Sequence, residues 1–314
     1  MYSDRNMDDA WQPHRVPTAD VELACHTRGE GPPVVFINGG PGDDHRYLRP
    51  VAEPLVDRFR CILYDQRGCG ESRLDRLDGE TLDVGRFIDD VDAVRRHFGH
   101  ERVQLVGHSW GALLALFYAA HHPDAVAGQV LVGMGPLDEA MGAVAAANLR
   151  QPLSLAERAA LEDLRARRRA AIAAGDLDTH AELHIRQLAE FASRSWFYDP
   201  GVVAPFVEAF RTLYQYNPHI TPVLWPTAQR QAIADKIDGL PVPTLVVYGY
   251  QDFEPITQAY LLRERMPHVE VCLINECGHV PWLEQPAAFY AALEGFLSHT
   301  HAPPSTTITA AKTA

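Results

Sequence analysis

No apolar run in the sequence approaches the ~20 residues needed to cross a bilayer, so a helical membrane span is excluded. The opening residues, Met1 to Asp9, are polar and acidic and lack an apolar stretch. No secretory signal is therefore expected, and the cytoplasm is the expected location. Paired cysteines are missing as well. Cys25, Cys61, Cys69, Cys272 and Cys277 make an odd five without metal-like C-x-x-C spacing, which favours reduced thiols over a disulfide framework. Positive charge is scarce, with 28 Lys and Arg against 41 Asp and Glu, and the net charge of −13 disfavours nucleic acid as a partner. The Gly-rich loop at 39–42 lacks the following Lys-Ser/Thr of a phosphate cradle. Neither a nucleotide, a metal nor any other cofactor is expected. There are no internal repeats. What remains is a 314-residue globular chain, 46% hydrophobic and 22% charged, long enough for one large α/β domain with an insertion.

The positive signals begin with short apolar runs bounded by turn residues: Val34–Ile37, Cys61–Tyr64, Val103–Val106 and Val130–Val132. Such runs read as strands buried on both faces, as in a parallel sheet covered by helices. An opening strand is expected around Val21–His26. The spacing of Val84, Phe87, Ile88, Val91, Val94 and Phe98 predicts a helix over 81–98, with Gly99 as its C-cap. The strand pattern stops after Pro136 and resumes at Pro243–Gly249, followed by a helix near 255–266, a strand Val269–Ile274 with Glu270 near an edge, and a helix near 286–298. Between the two blocks, residues 154–192 read as long amphipathic helices, and 196–226 concentrates Trp196, Phe197, Tyr198, Phe206, Phe210, Tyr214, Tyr216 and Trp225. The expected organisation is a loose leader at 1–18, a core at 19–136 and 240–300, a helical cap at 137–239 whose aromatics partly face a pocket and partly pack, and a disordered tail at 301–314.

The chemistry centres on Gly107-His108-Ser109-Trp110-Gly111, a G-x-S-x-G motif between a strand and a helix. A sharp turn there exposes Ser109 at a helix N-terminus, where it is the candidate nucleophile. A serine hydroxyl needs a base, and the base needs a group to hold its tautomer. Asp252 and His279 each follow a predicted strand, so the chain order is Ser, Asp, His, and all three lie where open parallel sheets place their crevices. Asp138 and Glu139, after the preceding strand, are rival acids. For the oxyanion, one donor is the N–H of Trp110, and the second comes from the loop Asn38-Gly39-Gly40-Pro41-Gly42.

Gly39-Gly40-Pro41-Gly42, Asp65-Gln66-Arg67-Gly68-Cys69-Gly70-Glu71-Ser72, Gly107-His108-Ser109-Trp110-Gly111 and Gly278-His279 together resemble the proline iminopeptidase branch of the α/β-hydrolases. The resemblance spans 20–135 and 240–298. It implies an α/β-hydrolase fold with a mostly parallel sheet and an inserted helical cap, a cofactor-free Ser-Asp-His triad, and cleavage of N-terminal residues or small amides. It also maps the second oxyanion donor onto Gly39, and makes Asp65 and Arg67 loop braces. Two positions depart from the family pattern. Asn38 stands where the family usually has His, and Phe253 stands where some members follow the triad Asp with a Glu that holds the substrate amine, Glu254 being displaced by one. If no carboxylate reaches the pocket, an unpaired α-ammonium costs several kcal/mol to bury, and neutral acyl groups are preferred. A cap acid such as Glu182, Glu190 or Glu208 would reverse this.

The expected activity is hydrolysis of a small amide, N-terminal aminoacyl or ester bond through an acyl-enzyme, on a small-molecule or short-peptide substrate. The alternatives are an esterase, lactonase or thioesterase of secondary metabolism and, from another class, a noncatalytic protein that holds a small ligand in the same pocket. No membrane partner is expected, and nothing in the sequence fixes an oligomeric state.

Overall fold

The computed structural model describes residues 10–230 and 233–301. Its centre is an eight-stranded sheet of order β1-β2-β4-β3-β5-β6-β7-β8. The strands are β1 (Gln12–Pro17), β2 (Glu22–Arg28), β3 (Pro33–Ile37), β4 (Arg60–Tyr64), β5 (Val103–His108), β6 (Val126–Val132), β7 (Thr244–Gly249) and β8 (Val269–Ile274). β1 and β2 run antiparallel to their neighbours, and β4 to β8 form a continuous parallel array through β3.

The apolar runs become central strands because alternate residues feed two different cores. Val35, Ile37, Ile62, Leu105, Leu131 and Val246 pack with Phe87 and Val91 of helix Val84–His97 and with helix Trp110–His121. Val34, Phe36, Cys61, Val106, Val130 and Val247 pack on the opposite face with Phe289, Leu293 and Phe296 of helix Pro286–His301. β5 and β7 are buried along their whole length, whereas β8 closes the sheet as a half-exposed edge with Glu270 outward. Helix Val84–His97 begins three residues later than its periodicity suggests, because Asp83 accepts from Gly85 N at 2.9 Å and caps it there.

One expectation is corrected. Residues 12–17 are not a loose leader but the edge strand β1, paired from Gln12↔Thr27 to Pro17↔Glu22. Only Val16 of this strand is buried, so its side chains carry almost no strand signal, and its two prolines fit an edge. The backbone ladder to β2 and the buried Trp11, whose Nε1 donates to Glu53 at 3.0 Å, hold it down. Residues 1–9 and the expected tail beyond His301 lie outside the described residues.

Between β6 and β7 the chain is helical: Glu139–Arg150, Leu155–Ala174, Leu177–Glu190, Val203–Thr212, Ile220–Arg230 and the short Ala234–Ile237. Leu153, Leu161, Leu164, Leu183 and Phe191 make a small core of their own within this segment.

Candidate active site

β5 ends at His108, and the chain reverses through Ser109 directly into helix Trp110–His121. Ser109 has φ 55° and ψ −118°, a strained conformation for a residue with a side chain. The turn is tight enough to demand its two glycines. A Cβ on Gly111 would lie 1.9 Å from Ile37 O, and one on Gly107 would lie 2.4 Å from Gly111 O. The turn is locked on the neighbouring strand by Ser109 N donating to Val132 O at 2.9 Å. Among the described residues the Ser109 side chain makes no hydrogen bond, and it opens on a cavity of about 610 Å³.

The structure brings Asp252 and His279 together beside it. Nδ1 of His279 donates to both carboxylate oxygens of Asp252, at 2.9 and 3.1 Å, and both side chains are buried. With Nδ1 so engaged, Nε2 is the ring nitrogen left for proton transfer, and His279 borders the same cavity as Ser109. The His279 loop is held from three sides. His279 N donates to Trp196 O at 2.6 Å, Gly278 N to Glu284 Oε2 at 2.7 Å, and Nε2 of His108 to the His279 carbonyl at 2.8 Å. His108 is fully buried, with Tyr47 OH donating to its Nδ1 at 3.1 Å, and burial followed by the neighbouring His279 holds it neutral, far below the ordinary histidine range. The rival acids are spent or peripheral: Asp138 caps helix Glu139–Arg150 by accepting from Met141 N at 2.8 Å, and Glu139 is exposed at the cavity rim.

The 38–42 loop folds over the serine. A Cβ on Gly39 would sit 3.2 Å from Ser109 Cβ, which puts the Gly39 backbone within reach of an atom bound to that side chain. Asn38 braces the loop by donating to Asp43 O at 2.6 Å. Gln66 ties loop and helix together: its Nε2 donates to Asn38 O at 2.7 Å, and its Oε1 accepts from Trp110 Nε1 at 2.9 Å. Behind it, Asp65 accepts from His45 N, His45 Nδ1 and Glu71 N. Arg67 lies buried in a fork on Asp90 at 2.7 and 2.8 Å, with Asp20 beyond.

The walls are partly aromatic. Trp196, Phe210, Tyr216 and Trp225 border the cavity, while Phe197 and Phe206 are buried against each other and Tyr198 is exposed. Phe253 stacks on Trp196 and leans on His279, with ring centroids 5.7 and 4.6 Å apart.

Glu182, Glu190 and Glu208 are all exposed and supply no carboxylate to the cavity, but two other acids border it. Glu254 lines the cavity because the chain turns inward after Phe253: Glu254 N donates to Asp252 Oδ1 at 3.0 Å, and Asn148 Nδ2 donates to Phe253 O at 2.9 Å. Its Oε2 is buried without a partner, and burial, then the Asp252 charge, pushes its carboxyl well above the ordinary range. Asp43, next to the glycine loop, is a second such group. It borders the cavity with Oδ1 unpartnered, its carboxyl raised by burial and then by Asp44. Asp43 and His108 are not singled out as site residues by the sequence; only the position of His108 inside the motif and of Asp43 after the glycine loop hints at them.

Among the described residues no cluster of His, Cys, Asp or Glu could hold a metal, and no helix is long and apolar enough to cross a membrane. Residues 32–286 match the family described as alpha/beta hydrolase fold. The chain is 27% identical over 277 residues to a proline iminopeptidase of Lactobacillus helveticus, covering 86% of this chain and 91% of that protein. It superposes on the crystal structure of a proline iminopeptidase from Mycobacterium smegmatis with a TM-score of 0.69 at 24% identity, over 92% of this chain and 98% of the other. A thermophilic esterase from Thermogutta terrifontis, solved with malate bound, gives 0.68 at 25% identity, over 93% and 100%.

Proposed function

The chain belongs to the α/β-hydrolase fold family, and on that premise we propose that it is a serine hydrolase that releases N-terminal aminoacyl groups or cleaves small amides, in the manner of a proline iminopeptidase. The observation that carries the reading is Ser109 at a strained strand-to-helix turn, on one cavity with a His279 whose Nδ1 is held by Asp252. In this reading His279 Nε2 takes the Ser109 proton as Oγ attacks the substrate carbonyl. The oxyanion accepts from the N–H groups of Gly39 and Trp110, the latter at a helix N-terminus. His279 then protonates the leaving amine, the acyl group stays on Ser109, and water activated by the same histidine releases it.

Two buried carboxyl groups with unpartnered oxygens, Asp43 and Glu254, support a substrate bearing a free amine, since an entering ammonium favours the ionised form that burial alone disfavours. The apolar Phe253 and Trp196 wall against His279 supports a second reading, an esterase, lactonase or thioesterase acting on neutral acyl groups. Prolyl and alanyl arylamides compared with their N-acetylated and des-amino counterparts separate the two: a kcat/KM advantage for the free amines supports the first, and its absence or reversal supports the second. A fluorophosphonate probe distinguishes both from a protein that only binds its ligand, because only an activated Ser109 is labelled. The five free cysteines support a cytoplasmic setting.

A further inference from the structure

The cap side of the cavity holds a charge that this chemistry does not use. Arg168, on helix Leu155–Ala174, borders the same cavity as Ser109 and His279. Its Nη1 donates to Gln187 Oε1 at 2.7 Å and its Nη2 to His180 Nε2 at 3.1 Å, and the Tyr216 hydroxyl is a further side-chain partner, all three of them uncharged groups. Its Nε is buried with no partner. Among the described residues Arg168 makes no ion pair, although its own helix carries acids. Those acids are engaged elsewhere: Glu157 pairs with Arg194 at 2.8 Å, Glu162 with Arg165 at 2.9 Å and with Arg150 at 3.2 Å, and Asp163 with Arg167 at 4.0 Å. Next to the guanidinium, His184 also borders the cavity with a buried, unpartnered Nδ1, its ring stacked on Tyr216 at 4.5 Å. Of the carboxylates on the cavity, Asp43 and Glu254 are raised by burial, Glu139 is exposed, and none forms a pair with Arg168.

A half-buried guanidinium with free donor capacity and no counter-charge is costly to keep unless something brings the anion. A guanidinium fork is also the group best matched to a planar carboxylate.

We propose that Arg168, with His184 beside it, is a recognition site for a carboxylate on the substrate, so that the enzyme selects molecules with an anionic group away from the bond it cleaves. The proposal rests on the serine-hydrolase reading of the same cavity. The carboxylate belongs either to the acyl part or to the leaving part, and two substrate pairs tell these sources apart. On the acyl side, the p-nitrophenyl monoester of glutaric acid is compared with the matching glutaramide ester. On the leaving side, Pro-Gly is compared with Pro-Gly-amide.

The expected result is a kcat/KM at least about tenfold higher for the carboxylate member of one pair, the scale of a charge-assisted hydrogen bond, expressed mainly in KM. Arg168→Gln brings that ratio to about one, and Arg168→Lys keeps part of it. Ratios near one for both pairs in the wild-type enzyme overturn the proposal, as does a preference that survives Arg168→Gln. Should the wild type turn over none of these compounds, the hydrolase reading fails separately. Calorimetry then decides the site: binding of glutarate but not glutaramide to Ser109→Ala protein, lost in Ser109→Ala/Arg168→Gln, supports it, and no binding of glutarate overturns it.

Discussion

Gly133, the residue that follows β6, offers a sharp test of how Asp252 and His279 are held. It sits at φ +50° with its N–H donating to Val247 O at 2.8 Å, directly beneath the Asp252–His279 pair. A Cβ built there lies 3.0 Å from Asp252 Oδ2, 3.0 Å from His279 Nδ1 and 3.1 Å from His279 Cε1. Gly133→Ala therefore has two effects. The left-handed backbone costs about 1–2 kcal/mol with a side chain. Relief of contacts some tenths of an ångström too close also falls on the imidazole and carboxylate, because the strand backbone beneath is pinned on both sides. The fold survives, since stabilities of ordinary domains are about 5–15 kcal/mol. Catalysis should suffer more, because a displacement of about 1 Å at a reacting group costs about a hundredfold, so a shift of some tenths predicts a kcat/KM loss of roughly tenfold. The assay is kcat/KM on an activated ester alongside a melting curve, with the His279 Nδ1 proton followed by NMR. Unchanged kcat/KM with an unmoved Nδ1 resonance would refute the argument that Gly133 is small in order to seat the pair.

Ser109→Ala is expected to lower turnover by about 10³-fold or more with the melting temperature preserved; retained activity in protein freed of contaminating hydrolases removes Ser109 from the mechanism. Asp90→Ala strips the Arg67 guanidinium of its buried partner and is expected to cost about 3–5 kcal/mol in urea unfolding; a loss below about 1 kcal/mol would show that Asp20 alone suffices. Glu254 provides a pH test. Its folded pKa is raised, so the native state keeps a proton that the unfolded chain releases, and stability falls as pH rises from the ordinary glutamate value toward the raised one. Glu254→Gln should therefore be more stable than wild type at neutral pH, with the gap closing below about pH 4; a pH-independent difference contradicts a protonated Glu254.

The sheet was legible because its central strands are continuous apolar runs that have no other use than burial on both faces; Ser109 and Asp252 were legible because each stands just past one of those runs, and His279 because it follows the edge strand β8. β1 was hidden because backbone pairing, not side-chain burial, holds it. The charged furniture of the cavity was hidden for a different reason. Arg168 sits in Arg165-Ala166-Arg167-Arg168-Arg169, where four arginines in five residues look like solvated surface, and only the placement of the helix against the cavity turns one of them inward. Glu254 was hidden because its displacement by one residue gives no sign that the turn at Phe253 brings it to the cavity.

The stitching around Glu284 bears on how the cavity can open. One of its oxygens accepts from Tyr198 N and Asp199 N at 2.6 and 3.0 Å and the other from Gly278 N, while Trp196 O receives His279 N. The segment 196–199 and the His279 loop thus share one pivot, and lifting that edge would drag His279 away from Asp252. The opposite margin, along helices Glu139–Arg150 and Leu155–Ala174, is not tied by these bonds, so amide hydrogens are expected to exchange faster there than at Tyr198, Asp199 and Gly278.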